Sequence, residues 1–247
     1  VRGMSETSRS WRSRVAEQLL LRRQPSWYRG DLERYRAMGA GEELELRPMV
    51  NDRTPSNPYD SHYFFQDVWA ARRVAELRPA EHIDVGSRVD LVGFLTAITE
   101  VVFVDIRTLD VGIEGLSSIK GSILELPFED RSVGSISSLH VAEHIGLGRY
   151  GDPLDPNGSI DAATELQRVV APGGQLLFSL PVGRARTCFN AHRVHDPTRV
   201  AAMFPELELI EFAGVDDSGR FARNREPAEL VGANYACGMY RLRRAPD

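Results

Sequence analysis

Residues 81–105 read EHIDVGSRVDLVGFLTAITEVVFVD, and this stretch decides the fold. A short strand-like run, Glu81–Val85, stops at Gly86. An apolar helical period follows over Leu91–Ile98, and a second strand-like run, Val101–Asp105, ends on a carboxylate. Strand, helix and strand with a tight turn after the first strand is the unit of a parallel sheet, because parallel strands need a crossover between them. Ligands of such sheets bind beyond the carboxyl ends of the strands. Asp105 lies twenty-one residues after Asp84. An ionised carboxylate at that position has acceptor oxygens for both ribose hydroxyls of an adenosine. Gly86 lets the backbone turn there and approach a ligand with no Cβ in the way.

Outward from this unit the pattern repeats. Strand-like runs fall at Gly115–Ile119, Val133–Leu139, Gln175–Pro181, Leu207–Gly214 and Ala236–Leu242, with a helical stretch at Asp161–Val170. The alternation predicts a mostly parallel sheet covered by helices on both faces. No clear helix separates the last two runs, which fits an antiparallel pair at one edge. Residues 215–234 read as a long insertion, placed where a lid or binding loop would sit. On the amino-terminal side, His62–Leu77 carries Tyr63, Phe64, Val68, Ala71 and Val74 in helical period. Before it, residues 51–60 are rich in Pro, Asn, Asp and Ser and read as an exposed connection. Amphipathic helices are expected over Ser5–Arg23 and Asp31–Met38, the second closed by Gly39 and Gly41. The expected division is a helical extension over residues 1–60 and a main domain over 61–247.

Composition narrows the function classes. Of 247 residues, 42% are hydrophobic and 26% charged, and the net charge is −5. That charge offers no broad basic field for phosphate backbones, so nucleic acid is not an expected partner. The two cysteines, Cys188 and Cys237, do not stand in a metal-ligand spacing. No apolar run reaches about 18 residues and no secretory signal is visible, which leads to the expectation of a cytoplasmic protein with no membrane span. Met4 reads as the natural start, with Val1, Arg2 and Gly3 as a remnant before it.

Two further blocks carry a family resemblance: residues 121–144, GSILELPFEDRSVGSISSLHVAEH, and residues 165–181, ELQRVVAPGGQLLFSLP. With Glu81–Gly86 they resemble the spaced motifs of class I S-adenosylmethionine-dependent methyltransferases. There a Leu-Pro-Phe segment, an acidic turn, a strand ending near Glu-His and a helix ending in Pro-Gly-Gly follow in this order. The resemblance implies a Rossmann-like sheet of seven strands, mostly parallel, and S-adenosyl-L-methionine as cofactor. Its contacts are then expected at Asp84, Gly86, Ser87, Arg88, Asp105, Ile106, Arg107, Gly121, Ser122, Ile123, Leu124 and His140. Asp84 is suited to the ammonium and Arg88 to the carboxylate of the methionine part. The chain departs from the family in keeping one glycine of the first motif, Gly86, and in having Ser122 where an aspartate commonly meets adenine.

The longer string 139–156, LHVAEHIGLGRYGDPLDP, with DSHYFFQ at 60–66 and CFNAHRVH at 188–195, resembles a bacterial subfamily associated with glycan modification. This implies O-methylation of a sugar hydroxyl, on a mannoside or other oligosaccharide acceptor. An imidazole suits removal of the hydroxyl proton near neutral pH, and His144, just past the fourth expected strand, is the candidate base. Tyr63, Gln66, Glu143, Arg186, His192, His195 and Asp196 are candidate acceptor contacts. His192, His195 and Asp196 also raise a divalent metal as an alternative. Two other classes stay open. A nicotinamide-dependent oxidoreductase would use the same sheet and Asp105, although the G-x-G-x-x-G fingerprint is absent. A non-catalytic protein that kept the fold is the other.

Overall fold

The computed structural model describes residues 11–39 and 44–247, with side chains from residue 15 onward. The chain divides into two compact units, Val1–Pro58 and Tyr59–Asp247.

In the first unit, α1 (Trp11–Arg22) and α2 (Ser26–Ala37) are joined by an ion pair between Arg36 and Glu17. The helix expected to begin at Asp31 begins five residues earlier, because Pro25 holds an extended conformation at its N-cap and releases the chain into helix at Ser26. Residues 5–10 of the first expected helix and Gly41 lie outside the described residues. Residues 51–60 are exposed and carry no helix or strand, as their composition predicts.

The second unit opens with α3 (Ser61–Leu77), capped by the Asp60 carboxylate, which accepts from the backbone N–H groups of His62 and Tyr63. Then follow β1 (Glu81–Val85), α4 (Val89–Leu95), β2 (Glu100–Asp105), β3 (Leu116–Lys120), β4 (Val133–Leu139), α5 (Gly158–Val169) and β5 (Val170–Val182). A hairpin of β6 (Arg186–Cys188) and β7 (His192–Val194) comes next, then β8 (Glu208–Val215), β9 (Phe221–Arg223) and β10 (Ala236–Arg243). The sheet order is β3-β2-β1-β4-β5-β10-β8-β9. The first five strands are parallel, and β10 is antiparallel to both β5 and β8. The sheet therefore has eight strands rather than seven. Part of the 215–234 insertion pairs with β8 as β9, and Leu230 from its 3-10 turn is buried in the core.

The period of two along the strands builds a core on each face. Val102 and Val104 of β2, with Leu176, Phe178 and Leu180 of β5, pack on the side of Leu166 from α5. Val101, Phe103 and Leu177 pack on the opposite side with Trp69 and Val74 of α3 and Leu91 and Leu95 of α4. The polar residues of β1 and β4 are explained by pairing across the sheet. His82 lies between the hydroxyls of Ser135 and Ser137 at 2.7 and 2.9 Å, and the Ser137 hydroxyl also donates to Asp84. Pro172-Gly173-Gly174 forms an irregularity inside β5 rather than a turn before it. Gly173 has φ +74°, and a Cβ on Gly174 would sit 2.8 Å from the Ala171 carbonyl oxygen.

Candidate active site

The carboxyl ends of β1, β2 and β4 open on one cleft of about 430 Å³. At β1 the turn is locked from below. Asp84 is fully buried and accepts from the Ser87 N–H at 3.0 Å; the Ser87 hydroxyl accepts from the Leu139 N–H at 3.1 Å. Burial raises the Asp84 carboxyl to about 6, against the lowering effect of its serine partners. Asp84, expected to hold the cofactor's ammonium, is thus occupied in fixing the turn that carries Gly86 and Ser87 and does not line the cleft.

Gly86 has φ +73°, and a Cβ there would meet Val141 at 3.0 Å and stand 3.8 Å from Asp105 Oδ2. The bare backbone of the turn therefore faces the carboxylate at the end of β2. Asp105 Oδ1 accepts from the Arg107 N–H at 2.7 Å and from Arg107 Nε at 3.3 Å, leaving Oδ2 on the side of Gly86. Arg88 pairs with Asp90 at 2.8 Å and lies over the Tyr63 ring, so its guanidinium is already partnered at the cleft wall. Beyond β3, Gly121 donates to the Asp105 carbonyl, and Ser122 caps its own turn by accepting from the Leu124 N–H. Ile106 and Leu124 are exposed, whereas Ile123 is 5% exposed and belongs to the core. Ile123 packs in the core and does not line the cleft, and neither do Asp105, Ile106, Gly121, Ser122 or Leu124.

β4 delivers the chemistry. His140 follows it in a left-handed conformation, φ +56°, and its Nδ1 meets the Gln66 Oε1 and the Ser179 hydroxyl. Gln66 Oε1 has no proton to give, so Nδ1 carries the hydrogen and Nε2 is left as an unpartnered acceptor. Burial, with His62, His144 and His192 nearby, lowers His140 to about 3, which keeps it neutral. Gln66 is fully buried, with Oε1 shared between His140 and Ser179 and Nε2 bound to Asp67. It positions His140 and does not reach the cleft as an acceptor contact.

The short 3-10 turn Ala142–His144 sets Glu143 and His144 on the cleft. His144 Nδ1 is 2.5 Å from the Ala191 carbonyl oxygen, so it must donate, and the neutral ring presents Nε2 as its basic nitrogen. Burial chiefly lowers its basicity, with the Ala191 bond acting the other way. Glu143 is 1% exposed, its Oε1 is 3.6 Å from His144 Nε2 and its Oε2 has no partner. Burial pushes its carboxyl up to about 8.

Tyr63, Gly86, Ser87, Arg88, Arg107, His140, Glu143, His144 and His192 share the cleft. Arg186, His195 and Asp196 do not: they line a separate cavity of about 710 Å³ with residues of α5. His192 lines the first cavity and residues 193–196 the second, so His192 and His195 open on different cavities. Among the described residues no three His, Cys, Asp or Glu side chains converge to hold a metal ion.

Sequence reading missed Arg149, Tyr150 and Tyr235. Tyr150 lies under two guanidinium groups, those of Arg107 and Arg149, at 5.3 and 5.2 Å. Tyr235 stacks on His62 at 5.3 Å and approaches His192 at 5.0 Å. The glycines of 146–151 signalled a tight loop able to present Arg149 and Tyr150. Only the topology brings Tyr235 to the cleft.

A profile of the family described as Caenorhabditis protein of unknown function, DUF268, matches residues 91–226, more than half of the chain. The chain belongs to that family. No curated protein matches this DUF268 chain. Solved structures with the same fold include a putative methyltransferase from Bacillus halodurans, 16% identical, with TM-score 0.51 over 72% of this chain and 99% of that one. A putative sarcosine dimethylglycine methyltransferase from Galdieria sulphuraria is also 16% identical, with TM-score 0.52 over 74% and 86%. The [4+2]-cyclase SpnF is 13% identical, with TM-score 0.52 over 73% and 81%. These likenesses show the Rossmann-like class I methyltransferase fold. The last of them is a cyclase by name, so function in this DUF268 chain has to be argued from its own cleft.

Proposed function

We propose that this protein transfers a methyl group from S-adenosyl-L-methionine to a hydroxyl oxygen of a sugar. The observation that carries the reading is that two devices line one cleft: the Gly86 turn, whose bare backbone stands beside Asp105 Oδ2, and His144, whose Nδ1 is held by the Ala191 carbonyl so that Nε2 is its basic nitrogen. The first suits an adenosine ribose, the second a hydroxyl that must lose its proton. The donor set fits the cofactor. Asp105 Oδ2 would accept from the ribose, exposed Ile106 and Leu124 would flank the adenine with Gly121 and Ser122, and Ser87, Arg88 and Arg107 would face the methionine part. When bound, the cofactor supplies an electrophilic methyl group on a sulfonium.

The chain's own residues do the rest. Tyr63, His192 and Tyr235 hold the acceptor; aromatic faces beside hydrogen-bonding groups suit a sugar ring, which has apolar faces and a polar rim. His144 Nε2 takes the hydroxyl proton, and the Ala191 carbonyl keeps the ring oriented while it does so. Arg186, His195 and Asp196, across the hairpin, are left for remote units of a longer acceptor. The strings 139–156 and 188–195 resemble the glycan-modifying subfamily, and we read that resemblance as pointing to the 1-O-methylation step of methylmannose polysaccharide biosynthesis. On that likeness the acceptor oxygen is the anomeric hydroxyl of a short, methylated mannoside. No observation in the cleft favours a nicotinamide.

The test is transfer of labelled methyl to a panel of mannosides and other hydroxylated acceptors, with His144→Ala as control. Label in a sugar methyl ether is expected. His144→Ala should cut turnover about 10²- to 10⁴-fold with cofactor affinity nearly unchanged. Binding of S-adenosylhomocysteine with no transfer to any acceptor would favour a non-catalytic protein, and equal loss of turnover and affinity would remove His144 as base.

A further inference from the structure

Glu143 has no role in the reaction as described so far, and its surroundings are costly for an idle carboxyl. The side chain is 1% exposed, Oε2 has no partner, and Oε1 lies 3.6 Å from His144 Nε2, with the Glu143 backbone N–H as the carboxyl's other neighbour. A buried polar atom without a partner costs about 1–3 kcal/mol, which a folded protein keeps where a ligand or a reaction uses it. Around it stand Tyr63 of α3, Tyr235 just before β10, Cys237 within β10, Arg149 of the loop after the 3-10 turn and His144 of the turn itself, and the same cleft holds Arg88, Arg107, His140 and His192. Arg149 is the cation that acts on its carboxyl, and that influence does not overcome burial. The free carboxyl therefore keeps its proton at neutral pH.

We propose that Glu143 senses the positive charge of the sulfonium cofactor and ends the reaction holding the acceptor's proton. The inference rests on the methyl-transfer reading above. Glu143 lines the same cleft as Gly86, Ser87 and Arg88, where the methionine part of the cofactor is placed. A cation entering that cleft favours the carboxylate; an opposite charge within about 4–6 Å lowers a carboxyl pKa by about 1–3. The loaded protein then holds a carboxylate beside a sulfonium. In the reaction the acceptor O–H bond breaks and its proton passes through His144 Nε2 to Glu143. An oxygen lone pair forms the new O–CH₃ bond as the S–CH₃ bond breaks, and that bond's electrons stay on sulfur. Carboxylate and sulfonium become carboxylic acid and thioether, so the summed charge of the buried pair is zero before and after. His144 relays the proton and Glu143 retains it, because burial makes the imidazole a weak base and the carboxylate a strong one.

The test compares S-adenosylmethionine, which carries the charge, with S-adenosylhomocysteine, which does not. Each is titrated into the full chain near pH 7 by calorimetry in buffers of different ionisation enthalpy, which counts protons released. S-adenosylmethionine should release about half a proton to one proton more than S-adenosylhomocysteine, and Glu143→Gln should abolish the difference. Infrared difference spectra of the unsubstituted protein supply a second readout: the protonated carboxyl band should disappear with S-adenosylmethionine and persist with S-adenosylhomocysteine. Equal proton release by the two compounds, or a difference that survives Glu143→Gln, overturns the inference. Methyl transfer observed together with equal release leaves the proposed function standing and removes this inference alone. If neither compound binds, both fall.

Discussion

Glu143 and His144 are adjacent in the chain, yet burial moves them in opposite directions because it disfavours whichever form is charged. The carboxyl rises to about 8 and the imidazole falls below its usual value. Linkage turns the first shift into a stability prediction. The unfolded chain loses the Glu143 proton near pH 4.5, whereas the folded chain keeps it to about 8. Between these values the folded state binds more protons, so its stability falls as pH rises, by at most about 1.4 kcal/mol per pH unit. Glutamine does not titrate. The stability of Glu143→Gln relative to the unsubstituted protein should therefore grow from about pH 5 to pH 8 and level off above, as read by urea denaturation across pH; a difference that does not change with pH would contradict the burial argument. The residue types of this site were legible in the sequence, because strand ends of a parallel sheet are where ligand chemistry collects. Their partners were not. Asp84 and Gln66 look like binding groups until the structure shows their oxygens committed to Ser87, Ser137, Ser179 and His140.

At the scale of elements, α3 is fastened to the antiparallel edge by a buried charged group. Glu211 of β8 accepts from Trp69 Nε1 at 3.2 Å and lies 3.3 Å from Arg73, and both charged side chains are less than 10% exposed. A buried charge that loses its partner destabilises by about 3–5 kcal/mol. Glu211→Ala should therefore lower unfolding free energy by about that amount in urea denaturation; a change below about 1 kcal/mol would show that Glu76 alone sustains Arg73. This attachment matters for the site because α3 carries Tyr63 and Gln66. Strand position was plainest at Val101–Asp105, a short continuous apolar run that follows a helical stretch and ends on a carboxylate. The short β6, β7 and β9, each three residues, escaped because such segments have too few residues to show a period. The missed hairpin had the largest consequence, since His192 at its second strand lines one cavity and His195 just past that strand lines another.

For the whole molecule, one parallel sheet brings the ends of β1, β2 and β4 together, and its antiparallel edge returns the chain so that Tyr235 reaches the same cleft. Among the described residues no helix is long and apolar enough to cross a membrane. The account depends on the cleft accepting an adenosine-bearing cofactor through Asp105. The most direct measurement is calorimetric titration of S-adenosylhomocysteine into the unsubstituted protein and into Asp105→Ala, with circular dichroism to show that both are folded. Saturable binding is predicted for the first and at least about tenfold weaker binding for the second, a loss of about 1.4 kcal/mol or more. No binding to the unsubstituted protein, or equal binding to a folded Asp105→Ala, would contradict it.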